Sequence, residues 1–286
     1  MQVYHAAVAI PAGGMLTTSY APCAALARHA RHAAVGMDER GFVCACARCA
    51  AVGTPDSPAA RAVEALAAAA GAAAARVCAM AGLAACGGSL VADAEALGGA
   101  GARDAAVRAS CLAAWRAQAA AVGLSARSGG LRAGAGGGGD ADVLRAEGLA
   151  PALVFAMAAA VAAAAAVPRS DEAFLADAAR VATEACWVLD RVAPAGPEHL
   201  MLARDMAVAA AAAAAAGDGA NAAAADDDSG VHSAIAAAAD AGMHSPVAAA
   251  VAWRAALLGV VRRRFGAGPD AGRVAAHLEA DREALL

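Results

Sequence analysis

Three cysteines stand in the run Gly41-Phe42-Val43-Cys44-Ala45-Cys46-Ala47-Arg48-Cys49, a Cys-x-Cys-x-x-Cys spacing that suits a metal ion. Zinc takes four thiolate or imidazole ligands in a tetrahedron, so Cys44, Cys46 and Cys49 supply three at about 2.3 Å each and one more is needed. Cys23 is the nearest further thiol, and His29 or His32 can contribute a ring nitrogen. Free cysteine also packs as a small buried hydrophobe. The run, however, lies between charged residues, Arg40 before it and Arg48 within it, rather than in an apolar stretch, which favours ligand chemistry.

The elements that must position these thiols lie upstream. Residues 3–10 and 15–20 read as short β-type runs joined by Pro11-Ala12-Gly13-Gly14, whose chemistry is that of a turn. Residues 24–35 read as a helix with Arg28, His29, Arg31 and His32 on its polar side, after which Gly41 opens the cysteine loop. From Val8 the chain reads VAIPAGGMLTTSYAPCAALARHARHAAVGMDERGFVCACARCA. This stretch resembles the C-terminal end of SET-domain protein-lysine methyltransferases and the post-SET-type cysteine loop that follows it. The resemblance is carried by Ile10, Ala12, Gly13, Leu16, Ser19, Tyr20, Arg31, Phe42 and the three cysteines, within residues 1–50. With a long helical region downstream, the SET and MYND (SMYD) branch is the most similar, and the segments around Gly196-Pro197-Glu198-His199, Arg264-Phe265-Gly266 and residues 273–279 faintly echo it.

The resemblance implies transfer of a methyl group from S-adenosylmethionine to a lysine of a protein substrate, histone or otherwise. That chemistry needs a neutral amine aligned with the sulfonium methyl in a dry channel, so it depends on orientation and desolvation. Tyr20, at the end of Leu-Thr-Thr-Ser-Tyr, takes the place of the family's catalytic tyrosine, and Phe42 that of a wall of the cofactor and lysine sites. Read without the family, Tyr20 is a strand-end tyrosine with a hydrogen-bonded hydroxyl. Two departures accompany the match. Gly14 and Met15 stand where the family has glutamates, and no Asn-His-Ser-Cys-x-Pro-Asn segment precedes Val8. In the family that segment builds the S-adenosylmethionine pocket, and in many members its cysteine is the fourth zinc ligand. The expectation is therefore a chain in which the family-style cofactor pocket and fourth ligand are missing.

Composition narrows the classes. The 286 residues are 61% hydrophobic but only 3% aromatic, because alanine dominates. Alanine favours helix yet adds little buried area at about 25 cal/mol per Å², so a helical body anchored by a few large side chains is expected. A net charge of -4 gives no general affinity for nucleic acid. Eight irregularly spaced cysteines, without a basic-apolar-small leader, read as reduced thiols of the cytosol or nucleus. Residues 151–167 are the most membrane-like stretch, but they fall short of the ~20 residues a span needs and read as a buried helix.

Beyond Thr54-Pro55-Asp56-Ser57-Pro58 the pattern turns helical, with Ser57 able to cap and Pro58 at the first helical position. Helices are expected over 59–81, 89–97, 103–122, 141–167, 171–192, 198–216, 230–241, 246–265 and 271–286. Leu112, Trp115, Trp187, Leu189, Trp253, Leu257 and Leu258 read as core anchors, and the glycine-rich and aspartate-rich stretches 125–140 and 217–229 as flexible linkers. Gly134, Gly136 and Gly139 follow no strand, so they make no dinucleotide fingerprint. No nucleophile elbow, phosphate loop or His-Glu-x-x-His zinc helix is present. The expected fold is mainly α. A short β-containing SET C-terminal remnant with a zinc loop occupies 1–50, and an alanine-rich array, tetratricopeptide-like solenoid or bundle, occupies 51–286. Two functions stay open: a SET-type lysine methyltransferase, or a non-catalytic zinc-containing helical scaffold that binds other proteins.

Overall fold

A computed structural model describes residues 26–34, 44, 46–84, 89–123, 139–165, 171–194, 196–216, 246–265 and 271–280. The expected β runs, the 230–241 helix, most of both linkers and the end of the last helix lie outside them. Every regular element among the described residues is helical. In chain order these are α1 (Arg28–Ala34), α2 (Ala47–Val52), α3 (Pro58–Met80), α4 (Leu90–Arg103), α5 (Ala105–Ala121), α6 (Asp140–Leu149), α7 (Leu153–Ala164), α8 (Glu172–Val192), α9 (Pro197–Ala216), α10 (Pro246–Phe265) and α11 (Ala271–Ala280).

Local chemistry explains most boundaries. The Ser57 hydroxyl accepts from the Ala60 N–H at 3.0 Å with Pro58 in the first turn of α3, and Ser89 likewise accepts from Ala92 at 3.1 Å to start α4. Asp104 ends α4 and caps α5, accepting from Ala106 at 2.7 Å. The stretch expected as one helix over 141–167 is two: Pro151 has no N–H to continue the ladder, and a 3₁₀ turn over Ala150–Ala152 joins α6 to α7.

The core is built around α7. All twelve of its residues are buried, and α4, α5, α8 and α9 pack against it. A helix apolar on every side belongs at the centre of a protein or in a membrane, and here protein surrounds it. Two helical stretches, Pro58–Met80 and Asp140–Ala164, are long and apolar enough to cross a membrane by length and composition, and the second is this core element. The described helices form a bundle around one element, whereas a solenoid would confine each repeat to its neighbours in the stack.

Of the expected anchors, Leu112, Trp115, Trp187, Leu189, Trp253 and Leu257 are buried and Leu258 is partly buried. The expectation that these few large residues do the anchoring is only half of the arrangement. Ala94, Ala146, Ala156, Ala160, Ala178, Ala182 and Ala185 are fully buried too, so small side chains let helices approach closely and gain dispersion contacts that area alone understates. The approach of α4 to α7 is the tightest case. A Cβ at Gly98 would run into the Val161 side chain and lie 2.9 Å from the Ala158 carbonyl oxygen, and one at Gly101 would lie 3.5 Å from Ala162 Cβ. This contact carries α4 on to Arg103, past the expected end at 97, because the gain from docking exceeds the poor helix propensity of glycine.

Gly98→Val is therefore expected to destabilise the protein by about 1–3 kcal/mol, the usual cost of overpacking a filled interior. Gly99→Ala, where a Cβ meets nothing within 4 Å, is expected to be neutral or to stabilise by up to about 1 kcal/mol. Urea unfolding followed by circular dichroism compares the two, and equal losses would refute the packing account.

Candidate metal centre

The cysteine segment is held by two short helices. Cys46 immediately precedes α2, Cys49 lies in the first turn of α2, and Gly53 at φ 77° ends that helix, its N–H donating to the Cys49 carbonyl at 3.1 Å. The Cys44, Cys46 and Cys49 sulfurs lie within 4.8 Å of one another, and three thiols so gathered can hold one metal ion. Cys49 is buried, Cys44 half-buried and Cys46 exposed, so the cluster is rooted in the protein and open on one side. Helix α2 runs across residue 50, the expected domain boundary, and packs on α6.

The docking of this segment depends on Glu147 of α6, which is fully buried. Its Oε1 accepts from Arg31 Nη1 of α1, and its Oε2 accepts from Arg48 Nε of α2 at 2.6 Å. Both guanidiniums also donate to the Leu26 carbonyl, Arg31 at 2.8 Å and Arg48 at 3.3 Å, and Arg48 reaches the Val192 carbonyl at the end of α8 at 3.4 Å. Burial lowers the Arg31 pKa but is outweighed by the charge and hydrogen bond of Glu147, so its guanidinium is held above its ordinary value. Burial prevails at Arg48, whose guanidinium is pulled down. A guanidinium stays protonated in either case. Arg31 was expected on the polar side of its helix; it is polar, but it faces inward and is buried, because its counter-charge lies inside the fold.

The same arginine touches the cysteine cluster. Arg31 Nη2 stands 3.7 Å from Cys49 Sγ, and His32 Nε2 approaches that sulfur to 3.3 Å. His29, the other histidine considered as a ligand, instead pairs its Nδ1 with Glu64 of α3 at 2.5 Å, with its side chain largely exposed. A hydrogen bond from the Cys49 thiol holds the Cys46 thiol well below the usual cysteine range, with burial opposing and the Arg31 charge assisting. Cys49 is pushed up, first by giving that hydrogen bond and second by burial. One thiolate shared by neighbouring thiols is what a cluster of this donor set holds before metal displaces the protons.

Cys23, Tyr20 and Phe42 lie outside the described residues. Elsewhere, burial pushes the Cys111 thiol up to about 12 and the Cys186 thiol well above its usual value. Among the described residues Cys78 is disulfide-bonded, which overturns the expectation that all eight cysteines are reduced thiols. Glu147 was not singled out from the sequence. The signal available was an acid just ahead of the most apolar stretch of the chain. No protein-family profile, curated protein or solved structure matches the chain.

Glu147→Ala leaves two buried guanidiniums facing each other without a counter-charge and is expected to cost about 3–5 kcal/mol in denaturant unfolding. A loss no larger than that of the exposed Glu95→Ala would show that the clamp contributes nothing. In metal-free folded protein at neutral pH, iodoacetamide is expected to modify Cys46 well before Cys111 and Cys186, since the thiolate is the reactive form. Peptide mass spectrometry reads the order, and early labelling of Cys111 or Cys186 would contradict it.

Proposed function

We propose that the protein is a member, or a part of a member, of the SET family of S-adenosylmethionine-dependent protein-lysine N-methyltransferases. In this reading Cys44, Cys46 and Cys49 hold a structural zinc ion, and the helical bundle is the body on which the zinc loop is seated. The observation that carries the reading is the convergence of the three sulfurs of the Cys-x-Cys-x-x-Cys run. Zinc suits this donor set because it accepts soft thiolates in a tetrahedron and adds no redox chemistry of its own. The ion's contribution is to cross-link Cys44 to helix α2. Tyr20 and Phe42 enter by family likeness alone, as the hydroxyl beside the lysine channel and as a wall of the cofactor site. The substrate is a lysine of a histone or another protein, reached in the cytosol or nucleus. S-adenosylmethionine supplies the methyl group, and Tyr20 helps orient the neutral amine that receives it.

A second reading is a non-catalytic zinc-containing scaffold that binds other proteins through the helical body on which the cysteine segment docks.

Purified protein is expected to carry about one zinc ion and to lose it, with a drop in thermal stability, in Cys46→Ser or on acidification, because ligand thiols must shed their protons to bind. Metal analysis by plasma mass spectrometry checks this, and a metal-free protein of equal stability would overturn the zinc assignment. Calorimetric titration with S-adenosylmethionine separates the two readings. Saturable binding, with methyl transfer that Tyr20→Phe reduces, supports the enzyme; titration without saturation supports the scaffold.

A further inference from the structure

We propose that His32 is the fourth zinc ligand, completing a Cys3His site through its Nε2; this rests on the zinc reading above. A tetrahedral site with bonds of ordinary length has edges of about 3.8 Å between sulfurs and about 3.6 Å between a sulfur and a nitrogen. The three sulfurs lie mutually within 4.8 Å, and His32 Nε2 stands 3.3 Å from Cys49 Sγ but beyond 4.8 Å of at least one of the other two, so the imidazole meets the cluster at its Cys49 corner and swings inward to complete the tetrahedron. Imidazole nitrogen is an ordinary zinc donor.

Two features place the ring there. Arg31, its neighbour in the last turn of α1, is fixed in the Glu147 clamp and sets the rotation of that short helix. His29, one turn earlier, is turned away to Glu64, so of the two candidate histidines only His32 contacts a sulfur of the cluster, that of Cys49. Charge agrees with the count of ligands. Zinc with three thiolates and a neutral imidazole carries one net negative charge, and the buried group of Arg31, Arg48 and Glu147 beside it carries one net positive charge. A fourth thiolate would double the negative charge without a matching cation. Arg31 Nη2, 3.7 Å from Cys49 Sγ, is placed as an outer donor to a zinc-bound thiolate.

The full chain, loaded with zinc and separately with cobalt(II), tests the assignment. X-ray absorption at the zinc edge is expected to return three sulfurs and one nitrogen. His32→Ala is expected to lower zinc affinity by at least about 10- to 100-fold, the loss that even outer partners of a metal site produce. His32→Cys is expected to retain tight binding while the cobalt spectrum moves to that of four thiolates, and His29→Ala to change neither readout. Circular dichroism verifies that each variant is folded. Tight binding that needs the three cysteines, with four sulfurs at the zinc edge or with His32→Ala indistinguishable from the parent, overturns the His32 assignment and leaves the zinc reading standing. Failure of the parent protein to bind either metal overturns both.

Discussion

The attachment of the cysteine segment to the rest of the protein depends on one buried carboxylate. Glu147 has no solvent exposure and accepts from Arg31 on one oxygen and Arg48 on the other. A charged group removed from water is tolerated only when its partners are close and its remaining lone pairs are used. The two guanidiniums meet that condition from different helices, so either α1 or α2 leaving α6 alone would strip one buried carboxylate oxygen of its donor. The satellite core beneath them is small, made of Ala27, Val52, Ala60 and Val63 with Ala67 and Leu144 at its edge, and holds far less apolar surface than the main core. Direction and specificity at this junction come from the ion pairs, and burial supplies the rest.

This division explains what could be read from the chain beforehand. Helix starts at Ser57-Pro58, Ser89 and Asp171 were legible because a capping side chain and an apolar period sit next to each other in sequence. The break at Pro151 is equally local, but the continuous apolar run on either side of it masked the proline's effect. The extension of α4 through Gly98, Gly99 and Gly101 was not legible, because its cause is the face of α7, some sixty residues away in sequence. The thiol cluster was legible as a spacing, since Cys46 and Cys49 straddle the start of one short helix. Which histidine faces it was not. His29 and His32 are nearly equivalent in sequence, and only the counter-charges at Glu64 and Glu147 decide how the helix turns.

An alanine-rich interior makes such polar contacts more consequential than they are in a core of large side chains. Alanine surfaces interlock weakly, so one helix can slide against another at little cost in shape. A buried charge removes that freedom, because a slip of one turn leaves it unpaired. The same device recurs close by, near the C-terminal end of α8. Asp190 of α8 accepts from Arg263 of α10 at 2.8 Å and lies 3.7 Å from the fully buried His199 of α9, which sets three helices in register at one point. Trp115 adds a third fixed point, since its Nε1 donates to Glu184 at 2.6 Å and locks α5 to α8 where the indole is buried. Small residues let these helices come close, and the few buried polar groups determine where along their length they do so. The cysteine segment is the limiting case: its two helices have seven and six residues, too short to hold a position by packing, and their place is set almost wholly by charge.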